Sequence, residues 1–442
     1  MPRFESNSMP FLSVERARRD PHKTLTDWLS VRDEQDALLL VAFELDQYWL
    51  AGEAPRPLTA IYAWREHKLL MAVTEHELAT EAASVPDLLA LWRQRYGLEL
   101  VDASAPLALA PQYIAKPWGQ EIWFTGVEER GVCELRTGSI TTPIPWLQAA
   151  APEDLLGQAG EALVLLKVLD PVSEAVTGEL YFELHEEKRE VYVVTHVDRQ
   201  AWPDGQGYIR YGFDASVLAG YPDEDAFRAA YLGAVRDYEV VRRRIDSLKE
   251  TEIVPQALLE QEAILRETMN AFTHMRPLSE GDVVKVPLGL PHSLQHGVRT
   301  IEFQTPVYER KILSFAQQVL TQDHWDTEAA AAQMLLYTPP PEPSRLLGSS
   351  PGWREEQIVD FPDFEVSRVL LNGVDAYPLI ARSSYQLIMV ISGNLSLAGL
   401  SIGPEQAAIV PRSWAGELRT ASAGQECVFL RAWPRRTAVE PS

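Results

Sequence analysis

The stretch GELYFELHEEKRE, from Gly178 to Glu190, decides how this 442-residue chain folds. Its first part alternates apolar and polar residues. Because a β-strand has a period of two, Glu183 and His185 should share one face. A short polar turn follows, and EVYVVTHV is typical of a returning strand. The pattern predicts a hairpin that brings Glu190 back beside His185, so that two carboxylates and an imidazole converge.

A second stretch, GDVVKVPLGLPHSLQH from Gly281 to His296, supplies a further candidate ligand. The turn PLGLP precedes His292 and should direct its ring into the same pocket. Zinc binds imidazole nitrogen and carboxylate oxygen, and a catalytic site leaves one position for water or substrate. We therefore predict a metal centre, against the alternative of four unrelated exposed polar residues. The predicted ligands are Glu183, His185, Glu190 and His292.

The other histidines of this region are predicted to have no ligand role. His196 lies six residues beyond Glu190 on the returning strand, which is roughly 20 Å at the rise of a strand. His274, His296 and His324 are expected to be surface or packing residues.

Composition narrows the class of protein. The net charge of -23 argues against a nucleic-acid partner, although it allows a small phosphorylated substrate. Cys133 and Cys427 are too few for a disulfide framework and should be free thiols. No apolar run approaches the length of a membrane span, and the N-terminal MPRFESNSMPFLSVERARRD lacks the apolar core of a signal peptide. We expect a soluble cytoplasmic protein without a membrane partner.

The two motifs resemble those of the cupin superfamily. Gly178, Glu183-x-His185 and Glu190 resemble the first cupin motif, with Glu in place of its first histidine. The segment from Gly281 to His292 matches the second motif at every fixed position. The resemblance implies a jelly-roll β-barrel around the metal.

Further patterns predict the rest of the architecture. Apolar residues from Phe227 to Leu248 recur at steps of three and four, which indicates a helix, and Pro255 begins a second helix. After a Pro-rich stretch, short strands predict a second antiparallel sandwich. It has no histidine after Gly352, so it cannot rebuild the metal site and is expected to be structural or a lid.

The predicted fold class is mainly β, with two cupin barrels, a helical insertion in the first barrel and an additional N-terminal α+β segment. The predicted segments are 1–104 (accessory α+β), 105–213 with 277–337 (metal-binding cupin), 214–276 (helical insertion), 338–352 (Pro-rich linker) and 353–442 (degenerate second cupin).

Two sets of positively charged residues lie within predicted elements. Lys167 interrupts the apolar strand EALVLLKVLDP, so its side chain either reaches solvent or faces a functional cavity. The cluster Arg242, Arg243 and Arg244 is expected on a solvated helix face.

Taken in order, KPWGQEIW, LLKVLDP, the Glu-x-His motif, Lys188-Arg189-Glu190, GDVVKVPLGLPH and IEFQ with a following arginine resemble type I mannose-6-phosphate isomerases over roughly residues 111–315. The resemblance implies a zinc enzyme, with one ion per chain, that interconverts mannose 6-phosphate and fructose 6-phosphate. It implies the four ligands above and functional roles for Lys167, Lys188 and Arg310.

These residue types suit aldose–ketose isomerisation, which moves a proton between C1 and C2 through an enediol. A metal can polarise the adjacent oxygens, and Lys188 or a nearby carboxylate can move the proton. Arg310 can pair with the phosphate or with developing oxyanion charge. Alternatively, Lys188 pairs only with Glu186 or Glu187 in the turn, and Arg310 only closes a surface ion pair.

Two departures from the family pattern allow a different metal and a different function. Glu183 stands where the family has Gln, and this second carboxylate can favour manganese or iron over zinc. The chain reads QTPVYER where the family has a Ser-Asp segment before the arginine. The alternatives are a non-catalytic sugar-binding or regulatory cupin and an iron-dependent cupin oxygenase. The sequence does not determine the oligomeric state.

Overall fold

The computed structural model describes residues 11–16, 20–32, 35–249, 253–320, 322, 324–422 and 424–435. Residues 1–10, which carry half of the stretch used to argue against a signal peptide, lie outside these ranges. The predicted mainly β fold class is confirmed. Contacts divide the chain into unit 1 (Met1–Gln112, Trp123–Val164 and Ser344–Ser442) and unit 2 (Tyr113–Ile122 and Leu165–Pro343). Within the described ranges, each helix is too short or too polar to cross a bilayer.

The strands in chain order are β1 (Leu12–Arg16), β2 (Ala37–Leu45), β3 (Arg56–Arg65), β4 (Lys68–Thr74), β5 (Val101–Asp102), β6 (Leu107–Ala110), β7 (Gln112–Lys116), β8 (Gly119–Trp123), β9 (Val127–Glu128), β10 (Gly131–Val132), β11 (Glu134–Thr137), β12 (Ile140–Pro143), β13 (Leu165–Pro171), β14 (Phe182–Leu184), β15 (Glu190–Val197), β16 (Gly207–Phe213), β17 (Thr273–Leu278), β18 (Val283–Val286), β19 (His292–Leu294), β20 (Val298–Gln304), β21 (Lys311–Ser314), β22 (Arg345–Ser350), β23 (Trp353–Asp360), β24 (Phe364–Leu371), β25 (Tyr377–Leu379), β26 (Gln386–Ser392), β27 (Leu395–Leu397), β28 (Leu400–Ile402), β29 (Ala407–Val410), β30 (Gly416–Thr420) and β31 (Cys427–Pro434).

The helices are α1 (Pro21–Val31), α2 (Val85–Tyr96), α3 (Ile144–Ala150), α4 (Glu153–Leu156), α5 (Ala215–Leu218), α6 (Glu224–Lys249), α7 (Gln256–Asn270) and α8 (Thr327–Gln333).

Unit 2 contains two sheets that enclose an apolar core. One sheet has the strand order β18-β15-β20-β13-β8-β7, and the other has the order β17-β16-β19-β14-β21. Side chains from both sheets fill the space between them, among them Tyr192 and Val194 of β15 and Ile209 and Tyr211 of β16. Since β14, β15 and β19 carry the candidate ligands, the site lies within this two-sheet sandwich.

The predicted hairpin between β14 and β15 is wrong. β14 pairs with β19 and β21 in one sheet, whereas β15 pairs with β18 and β20 in the other. The segment 185–189 therefore crosses between sheets. It has no Gly or Asn of the kind that a tight hairpin turn requires. The crossing still brings the ligands together, because β14 places Glu183 directly opposite His292 of β19.

The helical insertion of unit 2 confirms the predicted helix pair. α6 buries Phe227, Tyr231 and Tyr238 against Phe182 and Leu184 of β14. These two β14 residues occupy the face opposite Glu183, as the period of two requires. The insertion therefore supports the strand that carries the first candidate ligand.

Arg242 corrects one expectation about this helix. Its side chain is buried, donates to Asp246 at 2.6 Å and to the carbonyl of Ala316 at 3.3 Å. Only Arg243 and Arg244 of the cluster are exposed. Arg242 thus joins the helix to the segment after β21 instead of facing solvent.

Unit 1 combines an N-terminal α+β part with a second sandwich. The sheet β1-β2-β3-β4-β5 packs on α2 through a core that includes Ile61, Leu88 and Trp92. The second sandwich has a nine-stranded sheet, β12-β11-β6-β29-β26-β31-β24-β23-β22, and a four-stranded sheet, β25-β30-β27-β28. Both cysteines are free, as predicted, and both are buried. Burial raises the pKa of Cys427 to about 11.

Two local expectations for this unit differ from the structure. The Pro-rich stretch 338–352, expected to contain no element, includes β22, which pairs with β23. Strands β6, β11 and β12, placed by sequence with the metal-binding barrel, lie in the sheet of the second sandwich because β6 pairs with β29. The remaining segment boundaries, and the identification of both sandwiches as cupin barrels, stay predictions.

We predict that Phe227→Ala destabilises unit 2. The ring is fully buried and contacts Phe213, Tyr221 and Phe272. Its removal should cost about 3–5 kcal/mol, because truncation of a buried aromatic ring leaves a cavity. Urea unfolding followed by circular dichroism should show a lower midpoint, whereas the exposed control Val240→Ala should not. Equal midpoints would contradict the packing of α6 on β14.

Candidate metal centre

The structure brings all four predicted ligands together. Nε2 of His185 lies 3.9 Å from Oε1 of Glu183 and 3.4 Å from Oε1 of Glu190. Nε2 of His292 lies 3.2 Å from Oε2 of Glu190. One ligand atom each from Glu183, His185 and His292 lies within 4.8 Å of the others. Glu190 adjoins two members of this group, so the predicted set is compact.

Backbone carbonyls fix the orientation of both imidazoles. Nδ1 of His185 lies 3.0 Å from the carbonyl of Glu309, and Nδ1 of His292 lies 3.1 Å from the carbonyl of Leu290. A carbonyl oxygen only accepts, so each Nδ1 carries the hydrogen. A neutral ring then presents the lone pair of Nε2 to the centre. Metal-binding histidines are commonly held in this way.

This orientation leaves acceptors facing one another. In the neutral ring, the lone pair of His292 Nε2 faces a carboxylate oxygen of Glu190 at 3.2 Å. Among the described residues, Nε2 of His185 and Oε2 of Glu183 are buried without a hydrogen-bond partner. Burying such groups is unfavourable unless something pairs with them. A divalent cation pairs with all of them, so the donor set fits a metal of the zinc type.

Lys188 and Tyr192 also contact the carboxylate of Glu190. Nζ of Lys188 lies 2.6 Å from Oε1, and the hydroxyl of Tyr192 donates to Oε2 at 2.6 Å. Burial acts to raise the pKa of Glu190, but the ammonium group of Lys188 outweighs burial and holds that pKa well below its usual range. The interpretation of Lys188 as a turn residue pairing with Glu186 or Glu187 is wrong, since Lys188 is buried on Glu190.

Lys167 faces the interior, so the alternative in which its side chain reaches solvent is wrong. Its Nζ donates to Oε1 of Gln304 at 2.6 Å and lies 3.7 Å from Glu302 and 3.8 Å from Glu121. Burial, only partly offset by Lys167, raises the pKa of Glu302 well above its usual range, and Glu190 adds to the effect. Lys167 thus belongs to a buried charged cluster next to the candidate ligands.

Sequence reasoning missed several members of this site. Glu302 and Gln304 alternate along β20 within IEFQ, and a polar residue at every second position of an otherwise apolar strand was the available signal. Tyr192 gave no signal, because a tyrosine on a strand is ordinary. The carbonyl of Glu309 accepts from His185, and its carboxylate accepts from the backbone amides of Glu186 and Glu187. Its position in the sequence, more than a hundred residues away, indicates neither contact.

Arg310 lies at the rim of the centre. Its guanidinium sits over the ring of Tyr181, 4.4 Å from the centroid, and its Nε is 3.8 Å from Oε2 of Glu183. The side chain is 21% exposed, so it can contact both a ligand residue and a molecule that arrives from solvent.

The remaining histidines are not part of the cluster. His196 is exposed and pairs with Glu280, and His296 stacks on Trp202. His274 and His324 are exposed.

Comparison with known proteins identifies similar folds. No family model matches the chain, and no curated protein matches it. Solved structures do match. Mannose 6-phosphate isomerase from Bacillus subtilis is 13% identical, with a TM-score of 0.53 over 74% of this chain and 99% of that one. A mutant phosphomannose isomerase from Salmonella typhimurium is 12% identical, with a TM-score of 0.54 over 75% and 99%. A zinc-bound mannose 6-phosphate isomerase is 12% identical, with a TM-score of 0.54 over 75% and 100%. At these identities the likeness concerns the fold.

We predict that the chain binds about one zinc ion through this donor set, as expected for a single site with three or four protein ligands. His292→Ala and His185→Ala should each lose most of the bound metal, because each removes one ligand. His196→Ala is the matched control and should keep it. Elemental analysis after chelation, reloading and desalting measures the outcome. Equal metal content in all variants would exclude this site.

Proposed function

We propose that the chain is a metal-dependent aldose–ketose isomerase that interconverts mannose 6-phosphate and fructose 6-phosphate. One observation carries the proposal: Nε2 of His185 and His292 and the carboxylate of Glu183 converge where Lys188 and Arg310 also approach. This combination of metal donors and cationic groups suits a substrate whose oxygens gain negative charge. The fold similarity to isomerases supports the same interpretation.

Glu183, His185, Glu190 and His292 are the proposed metal ligands. A bound ion would supply Lewis acidity to the substrate oxygens next to it. Zinc is the proposed ion, and the two carboxylates leave manganese or iron as alternatives. The carbonyls of Glu309 and Leu290 hold the two imidazoles in the required orientation, so the ligands need little rearrangement.

The reaction removes the C2 proton of the aldose, delivers a proton to C1 and moves the hydroxyl proton of O2 to O1. Lys188 is buried at 2.6 Å from Glu190, where it can exchange a proton with a substrate oxygen. Lys167, surrounded by Glu121, Glu302 and Gln304, acts as a positioning residue, because it balances the buried carboxylates behind the ligands.

Arg310 is proposed to stabilise negative charge that develops on the reacting oxygens. The distance of 3.8 Å between its Nε and Oε2 of Glu183, a proposed ligand, supports this role. The phosphate of a hexose 6-phosphate lies at the opposite end of the sugar from C1 and C2. Of the two roles considered for Arg310, the oxyanion role therefore fits its position better than phosphate binding.

We predict that the purified chain loaded with zinc converts mannose 6-phosphate to fructose 6-phosphate. The conversion should stop on addition of a chelator and return with zinc, because the proposed reaction needs the ion. Fructose 6-phosphate formation is followed in a coupled assay, with manganese and iron as parallel reconstitutions. Absence of any chelator-sensitive product would reject this substrate.

The sugar-binding alternative is favoured by one observation, the segment QTPVYER in place of the Ser-Asp residues of the family. It predicts that mannose 6-phosphate raises the melting temperature of the metal-loaded chain without turnover. The oxygenase alternative predicts oxygen uptake by the iron-loaded chain.

For Arg310→Met we predict a fall in kcat of about a hundredfold or more with a small change in KM, as when an oxyanion donor is removed. The matched control is Arg244→Met, which removes the same charge from an exposed position. Steady-state kinetics with mannose 6-phosphate measure kcat and KM for both variants and for the unmodified chain. A large rise in KM at unchanged kcat would instead assign Arg310 to ground-state binding of the phosphate.

A further inference from the structure

Tyr181, the residue before β14, lies beneath the guanidinium of Arg310. The Cζ atom of Arg310 is 4.4 Å from the centroid of the Tyr181 ring. Tyr181 is 5% exposed, whereas the side chain of Arg310 is 21% exposed. The face of an aromatic ring attracts a cation, and the attraction is stronger where water is excluded. The tyrosine thus provides a buried aromatic surface under an arginine that solvent can still reach.

The pairing of β14 with β21 fixes the position of this ring. Phe182 lies opposite Ser314, so Tyr181, the residue before one, adjoins Phe315, the residue after the other. The centroids of the two rings are 4.2 Å apart, and both rings belong to the apolar core between the sheets. Because such cores are densely packed, the Tyr181 ring cannot shift without displacing its neighbours. It is therefore a rigid support for Arg310.

The carboxylate of Glu183 attracts Arg310 but does not orient its hydrogen-bond donors. The distance of 3.8 Å from Nε to Oε2 is longer than a hydrogen bond, and among the described residues Oε2 of Glu183 is without a hydrogen-bond partner. An ion pair of this length has little directional preference, whereas contact with a ring face restricts where a planar guanidinium can lie. Glu183 is also a proposed metal ligand, so a bound ion would compete with Arg310 for its charge.

We propose that Tyr181 is a positioning residue whose ring holds the guanidinium of Arg310 in place at the rim of the metal centre. The inference rests on the proposed function, in which Arg310 stabilises negative charge on the reacting oxygens. A donor that is already in position contributes more to such stabilisation than one that must be ordered during the reaction. The aromatic face is the part of Tyr181 that performs this role, and the hydroxyl is not needed for it.

Steady-state kinetics of the metal-loaded chain with mannose 6-phosphate test the role of the ring. Tyr181→Met should lower kcat about tenfold with little change in KM, as expected for loss of a cation–π contact that orients a donor for the transition state. Tyr181→Phe keeps the aromatic face and should keep kcat. The control Tyr208→Met removes a half-buried tyrosine of the same unit, which packs on Trp202, and should behave like the unmodified chain.

A double variant separates positioning of Arg310 from packing of the core. Because Tyr181 acts through Arg310, adding Tyr181→Met to Arg310→Met should lower kcat no further. Metal content should equal that of the unmodified chain in every variant, since no proposed ligand is removed. Multiplication of the two losses in the double variant, a rise in KM alone, or equal losses in Tyr181→Phe and Tyr181→Met would each overturn the proposal.

Because Tyr181 is buried, Tyr181→Met can disturb folding, and a fluorinated phenylalanine at position 181 replaces it in that case. Fluorination keeps the shape of the ring but weakens the negative charge of its face. The fluorinated chain should have a lower kcat than Tyr181→Phe. Equal values of kcat in these two chains would contradict the proposal.

Urea unfolding tests the contact without substrate. The midpoints of the unmodified chain, Tyr181→Met, Arg310→Met and the double variant give the coupling between ring and guanidinium. The shift in the double variant should be smaller than the sum of the single shifts, and additive shifts would overturn the proposal. Such coupling would support the positioning of Arg310 by Tyr181 even in a chain that does not convert mannose 6-phosphate, an outcome that would reject the proposed function alone.

Discussion

The structure of the site depends on the close approach of two imidazole nitrogens, Nε2 of His185 and Nε2 of His292, to the buried carboxylate of Glu190. Carbonyls of Glu309 and Leu290 hold the Nδ1 hydrogens of His185 and His292, so the Nε2 atoms cannot both turn away from Glu190. Burial of unpaired acceptors is unfavourable, and removal of water makes each charge more effective. Buried carboxylates require positive charges close to them, and two lysines supply these charges. Lys188 and Lys167 balance the carboxylates from behind, whereas the space between the acceptors suits a divalent ion.

The two-sheet architecture enforces this contact. β14 and β15 belong to different sheets, and the segment 185–189 carries the chain from one to the other. His185 is the first residue of the crossing and Glu190 is the first residue of β15, and both are buried. The pairing of β14 with β19 places His292 directly opposite Glu183, which brings the last two candidate ligands to the same place. The helices on the outer face of β14 hold it through Phe182 and Leu184, so the insertion stabilises a ligand strand without entering the site.

Local patterns in the sequence were sufficient for the mainly β class, the helix pair and the four residues that meet. They failed where the outcome depends on pairing between distant strands. The period of two predicted a shared face for Glu183 and His185, but it could not tell a hairpin from a crossing between sheets. Arg242 looked like part of a solvated cluster, because a row of arginines does not reveal the carbonyl of Ala316 beside one of them. Glu302 was missed because its partner Lys167 lies far away along the chain.

The two sandwiches differ in whether their inward polar residues can pair with one another. In unit 2 the polar positions are histidine and glutamate, with lone pairs directed at one another, and they call for a cation. In unit 1 the corresponding kind of position holds Gln386 and Arg431, and the one central carboxylate, Glu355, already accepts three protein donors. The absence of histidine after Gly352 excludes a copy of the metal centre there. The donors of Arg431 instead meet acceptors of Gln386, Tyr377 and Glu355 within the sandwich, so protein groups do in this interior what an ion would do in the other.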